Sequence, residues 1–129
     1  MEFGLKGKVA WVTAASKGLG FASAMALARE GCDLAICSRG EAAIAEAADR
    51  IRRETGRKVL ALAVDVTRKE DLDRFVAAAL SEYQGVDVVV SNTGGPPPGG
   101  FLDFDDSAWE AAFNSLLMPA VRLTRAAIP

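Results

Sequence analysis

Four short apolar runs alternate with segments of helical spacing along this chain, and that alternation constrains its fold more than any other feature. Residues 8–13, 33–38, 58–64 and 86–90 read as strands, the last apolar enough to be buried on both faces. Residues 18–30 read as a small-residue helix closed by Gly31. Residues 41–55 carry Ile44, Ala47, Ala48 and Ile51 at helical spacing and end at Gly56. Thr67-Arg68-Lys69-Glu70 has the form of a capping box. It opens a third helix with Leu72, Phe75, Val76, Ala79 and Leu80 on one face, stopping near Gly85. Ser107-Ala108-Trp109-Glu110 has the same form and starts a helix that runs to the end of the sequence. Strand and helix repeated in this way predict right-handed crossovers and an α/β fold. The expected architecture is a doubly wound parallel sheet in the order 3-2-1-4, with helices on both faces.

Composition narrows the function classes. A chain of 129 residues, 50% hydrophobic and 25% charged, has the balance of one globular domain. A net charge of -2 argues against nucleic acid or an anionic membrane surface as the main partner. No apolar run approaches the roughly 20 residues of a membrane span. The first residues have neither a basic start nor a signal-type apolar core, so the cytoplasm is the expected compartment. The absence of histidine excludes His-based acid–base catalysis and His-ligated zinc, and no metal site is expected. Cys32 lies in the turn after the first helix and Cys37 within the next strand, where the five positions 34–38 span about 16 Å and end on opposite faces, so a disulfide is not expected. They read as small buried hydrophobes.

The first strand runs into Thr13-Ala14-Ala15-Ser16-Lys17-Gly18-Leu19-Gly20, and a helix follows directly. A helix N-terminus offers unpaired N–H groups and the positive end of a dipole, which suits an anion. Gly18 and Gly20 let backbone approach a phosphate closely and let the helix pack on the sheet.

These residues resemble the Thr-Gly-x-x-x-Gly-x-Gly signature of the short-chain dehydrogenases/reductases. Asp65-Val66 after the third strand resembles the Asp-Val pair that family uses on the adenine side. Ser91-Asn92-Thr93-Gly94 after the fourth resembles its Asn-Asn-Ala-Gly, and the final helix ending Leu123-Thr124-Arg125-Ala126-Ala127-Ile128-Pro129 is also similar. Four motifs in order cover essentially the whole chain. The loop Thr93-Gly94-Gly95-Pro96-Pro97-Pro98-Gly99 looks closest to the branch related to 3-oxoacyl-acyl-carrier-protein reductases. The resemblance implies a Rossmann-type fold, cut before its fifth strand, that binds a nicotinamide dinucleotide. Thr13, Ala15, Ser16, Lys17, Gly18, Leu19, Gly20, Asp65, Val66, Asn92, Thr93 and Gly94 are then its cofactor-binding residues. Ala14 stands where the family has its first glycine. A left-handed backbone would cost alanine about 1 kcal/mol or more, so a negative φ is expected there.

Ser38 and Arg39 decide which dinucleotide. An NAD site places a carboxylate on the ribose hydroxyls about 20 residues beyond the glycines. Ser38 removes that charge, Arg39 supplies a permanent planar cation for a 2′-phosphate, and Lys17 adds a second. The expected cofactor is NADP(H) rather than NAD(H). The proline loop, residues 94–100, follows the fourth strand beside the crevice where open α/β sheets bind ligands.

The family's acid, a tyrosine with a lysine four residues on, and its substrate-holding serine lie beyond this sequence. The single tyrosine, Tyr83, has Asp87 at that spacing and reads as a partly exposed helix-end aromatic. The family's helix asparagine falls at Leu116, and Asn114, about 200° away around a helix, faces elsewhere. No catalytic residue is therefore assigned. A small-molecule carbonyl substrate belongs to a longer form, and this chain alone is expected not to reduce one. The alternative function is a non-catalytic NADP(H)-binding or assembly module. A β-branched fourth strand lacking its neighbour, together with the apolar face Trp109, Phe113, Leu116, Leu117 and Val121, points to a homo-oligomer, most simply a dimer.

Overall fold

The computed structural model describes residues 1–128. Its strands are β1 (Val9–Val12), β2 (Asp33–Ser38), β3 (Val59–Ala63) and β4 (Val88–Val90). Its helices are α1 (Gly18–Arg29), α2 (Glu41–Thr55), α3 (Lys69–Tyr83), α4 (Asp106–Ala112) and α5 (Met118–Ala127). The sheet is four-stranded and has the order β3-β2-β1-β4. Every pairing is parallel: Val9 opposes Asp33, Ala10 opposes Val88, and Leu34 opposes Val59.

Strand alternation divides the core into two layers. Ala10 and Val12 of β1 and Leu34 and Ile36 of β2 face α1 and α2, meeting Met25, Ile44 and Ile51. Trp11, Ala35 and Cys37 face the other way, onto Phe75 and Leu72 of α3 and Leu123 of α5. Cys32 joins the first layer and Cys37 the second, and both are buried and free. Burial pushes the Cys37 thiol up to about 12, so it stays protonated and inert.

Several boundaries differ from the sequence expectation, each for a local reason. Thr67 does not cap α3: its N–H and its hydroxyl both donate to Asp65 Oδ1, at 3.0 and 2.7 Å. The helix starts two residues later, at Lys69. Ser107 likewise yields to Asp105, whose carboxylate accepts from Ala108 N–H at 3.0 Å and opens α4. At α4 an earlier carboxylate thus makes the capping bond expected of a hydroxyl, whereas at α3 the Asp65 carboxylate draws Thr67 into a turn and no side chain caps the helix. The fourth strand begins at Val88 rather than residue 86, with Asp87 joined to β1 just before it: its N–H donates to Val9 O at 2.8 Å and its exposed carboxylate Oδ2 accepts from Val9 N–H at 2.9 Å. The last helix is also broken. Residues Phe113–Leu117 widen into a π turn between α4 and α5, two positions ahead of Pro119.

Candidate functional site

The glycine loop is held by a reciprocal clamp between β1 and β4. Thr13 Oγ1 donates to Asn92 O at 2.7 Å and accepts from Asn92 N–H at 2.8 Å. Asn92 Nδ2 donates to Ala14 O at 3.4 Å, and Ala15 N–H donates to Cys37 O at 3.0 Å. Pinned on both sides, Ala14 adopts φ +50. The negative φ expected for it is wrong: the position does need the left-handed conformation, and this chain meets that need with alanine. Surroundings that over-determine a strained residue are what let it persist.

That turn aims Ala14 O at the start of α1. A Cβ on Gly20 would lie 2.1 Å from Ala14 O and 2.9 Å from Asn92 Nδ2, so no side chain fits there. Gly18, with φ +61, starts the helix in open space. One glycine is required by contact and the other by conformation.

The carboxyl ends of the four strands open onto a cavity of about 380 Å³, within the size range of small-ligand sites. Eight of the residues expected to bind a cofactor line it: Ser16, Lys17, Ser38, Arg39, Asp65, Val66, Thr93 and Gly94. The others serve behind the wall or outside it. Thr13 and Ala15 are buried, Gly20 is covered by Ala14, and Asn92 closes the clamp. Gly18 sits at the helix start, and Leu19 is 82% exposed.

Electrostatically the cavity is cationic with one fixed anion. Lys17 and Arg39 are exposed and make no ion pair among the described residues. The Thr67 hydroxyl and N–H hold the Asp65 carboxyl below the usual carboxylate range, and the Arg39 and Arg68 charges reinforce this. Asp65 is thereby committed to shaping its own turn. Ser38 is 8% exposed, and its Oγ donates to Gly40 O at 3.4 Å.

Tyr83 is at the far end of the molecule. Its hydroxyl donates to Leu34 O at 2.8 Å, at the amino end of β2, and burial pushes the phenol up to about 12. It is a structural residue. Among the described residues no group of histidine, cysteine and carboxylate side chains could hold a metal, and no helix is long and apolar enough to cross a membrane.

Residues missed from the sequence are Ala14, Gly40, Val64, Thr67, Gly95 and Ser115, all lining the cavity. All but Ser115 adjoin residues already singled out. Ser115 is on the π turn, and its signal was Pro119, four residues on. Asn114 is exposed, and Leu116 lines a separate apolar groove with Trp109 and Phe113.

A parallel sheet with a glycine loop opening its first helix, and a cavity across the carboxyl ends of its strands, defines a Rossmann-type domain. The chain belongs to the short-chain dehydrogenase family, whose model matches residues 8–129. It is 32% identical over 126 residues to human dehydrogenase/reductase SDR family member 4, covering 97% of this chain and 45% of that protein. The crystal structure of L-sorbose reductase from Gluconobacter frateurii, complexed with NADPH and L-sorbose, superposes with a TM-score of 0.94 at 35% identity. That match covers 100% of this chain and 49% of the reductase. An alcohol dehydrogenase from the archaeon Thermococcus sibiricus, complexed with 5-hydroxy-NADP, superposes at 0.87 with 30% identity, covering 94% of this chain and 52% of that one. The chain spans about half the length of these relatives.

Proposed function

We propose that this chain is the NADP(H)-binding part of a short-chain oxidoreductase. The observation that carries the reading is the cavity itself, which gathers Ser16 and Lys17, Ser38 and Arg39, Asp65 and Val66, and Thr93 and Gly94 from four separate segments. Two of its cations have no acidic partner among the described residues, and a 2′-phosphate would supply one. The bare backbone at Gly20 leaves the N-terminus of α1 close against the loop, where a pyrophosphate fits. The bound nicotinamide would supply or accept a hydride, and the carbonyl or alcohol substrate belongs to the whole protein. NADPH in L-sorbose reductase and 5-hydroxy-NADP in the archaeal dehydrogenase support the same choice of dinucleotide. The proline loop supports a branch related to 3-oxoacyl-acyl-carrier-protein reductases. The family match weighs against a purely non-catalytic module.

Titration with NADP+ and NAD+ tests the cofactor. Arg39→Ala is expected to lose about ten- to hundredfold in NADP+ affinity, the worth of a charge-assisted hydrogen bond, with NAD+ little changed. Ser38→Asp should move the preference towards NAD+. If Arg39→Ala keeps the wild-type preference, the assignment of Arg39 is wrong.

The same reading includes a homodimer. Trp109, Phe113 and Leu117 are about half exposed (54%, 52% and 48%) and lie along one groove, and β4 pairs on one edge alone among the described residues. Exposed apolar surface of this kind marks an interface. Light scattering at micromolar concentration should give twice the monomer mass, and Trp109→Glu should reduce it to the monomer value. A wild-type monomer would end the proposal.

A further inference from the structure

Ser115 reaches the cavity through the break in the last helical segment. Pro119 has no N–H to give, and its ring crowds the carbonyl four residues back, which is that of Ser115. The backbone responds by widening: Met118 N–H donates to Phe113 O, five residues away, across Phe113–Leu117. π turns of this kind are found disproportionately at functional sites. Within this turn the side chains part company. Leu116 joins the outer apolar groove, whereas Ser115 lines the cavity, whose wall also includes Thr93, Gly94 and Gly95. A side chain on Gly94 or Gly95 would meet open space, so this wall leaves room for a ligand against it. The Ser115 hydroxyl donates to Ala112 O at 3.3 Å, a long bond for two oxygens and easily exchanged for a better one.

The other polar side chains of the cavity are Ser16, Lys17, Ser38, Arg39, Asp65, Thr67 and Thr93. The proposed function sets Lys17, Ser38 and Arg39 against the adenosine 2′-phosphate, and Asp65-Val66 resembles the family's adenine-side pair. We infer that Ser115 is a further ligand-contacting residue of this site, its hydroxyl meeting the 2′-phosphorylated adenosine half of the dinucleotide rather than the nicotinamide half. The inference rests on the NADP(H) reading.

The test is a titration of the full chain with two probes, NADP+ and adenosine 2′,5′-bisphosphate, the second lacking the nicotinamide half. Ser115→Ala should weaken both probes by about three- to tenfold, the worth of one neutral hydrogen bond. Ser115→Leu, which fills the wall, should weaken both further, with Arg125→Ala, an exposed change on α5, as the substitution that alters neither. Thermal melts show whether each variant is folded. Should Ser115→Leu prove unfolded, Ser115→Ala decides alone. Wild-type binding of both probes by the folded serine variants overturns the inference and leaves the NADP(H) reading intact. Weakening of NADP+ with the bisphosphate unaffected also overturns it, because Ser115 would then serve the nicotinamide half. A wild-type chain that binds neither probe brings down the NADP(H) reading and the inference with it.

Discussion

Gly20→Ala is expected to cripple both the fold and the site, although it adds a single methyl. The new carbon would sit 2.1 Å from Ala14 O and 2.9 Å from Ala14 C, both backbone atoms. Neither can yield as a flexible side chain would. Ala14 is held at φ +50 by the Thr13–Asn92 clamp and by the bond from Ala15 N–H to Cys37 O. The loop must therefore leave the clamp, or α1 must lift off the sheet. Overpacking of this severity costs about 3 kcal/mol or more. A thermal melt should show the loss, and NADP+ titration should show affinity falling with it. Gly18→Ala is the informative contrast. Gly18 has φ +61 but open space around it, so the change costs only the left-handed backbone term, about 1 kcal/mol. If the two variants melt alike, the close packing at Gly20 does not have the importance given to it.

Trp11→Ala is the second large effect, and it acts on the sheet instead of the loop. Trp11 is fully buried in the middle of β1 and meets Phe75 of α3 edge-on, with ring centroids 6.1 Å apart. Truncating a buried aromatic costs about 3–5 kcal/mol in lost transfer energy and cavity, enough to lower Tm by more than about 10 °C in a chain of this size. Trp11→Phe should cost far less than its lost volume suggests. The indole Nε1 is buried with no hydrogen-bond partner in the structure, so phenylalanine removes an unsatisfied donor together with the second ring. Equal destabilisation by Ala and Phe would show that the indole N–H is satisfied in solution.

Most of the architecture was legible because its signals are local and periodic. The second strand and second helix fall where expected, since an apolar run, a turn at Arg39-Gly40 and a terminal Gly56 in the left-handed conformation all agree. The misplaced boundaries have a different origin. At Ser107 a neighbouring carboxylate takes the capping N–H, at Thr67 one draws the residue itself into a turn, and at Asp87 side chain and backbone both bond Val9, none of which residue periodicity registers. The sequence misleads at Ala14 because its conformation is dictated by residues 23 and 78 positions away, Cys37 and Asn92, against its own preference. In the site, the glycine loop and the residues at the ends of β2 and β3 could be read in advance. Ser115 could not, because a regular helix would have placed it by counting, and Pro119 changes the count.

The central claim is that one dinucleotide lies across the carboxyl ends of all four strands. The measurement that tests it most directly is backbone amide mapping by NMR, with NADP+ added to the labelled chain. Perturbations are expected in the glycine loop at Ser16 to Gly20, at Ser38 to Gly40, at Asp65 to Thr67, and at Thr93 to Gly95. No comparable change is expected around Arg57 and Tyr83 at the amino end of the sheet. A spectrum unchanged at saturating NADP+, or one altered mainly around Arg57 and Tyr83, would contradict the account.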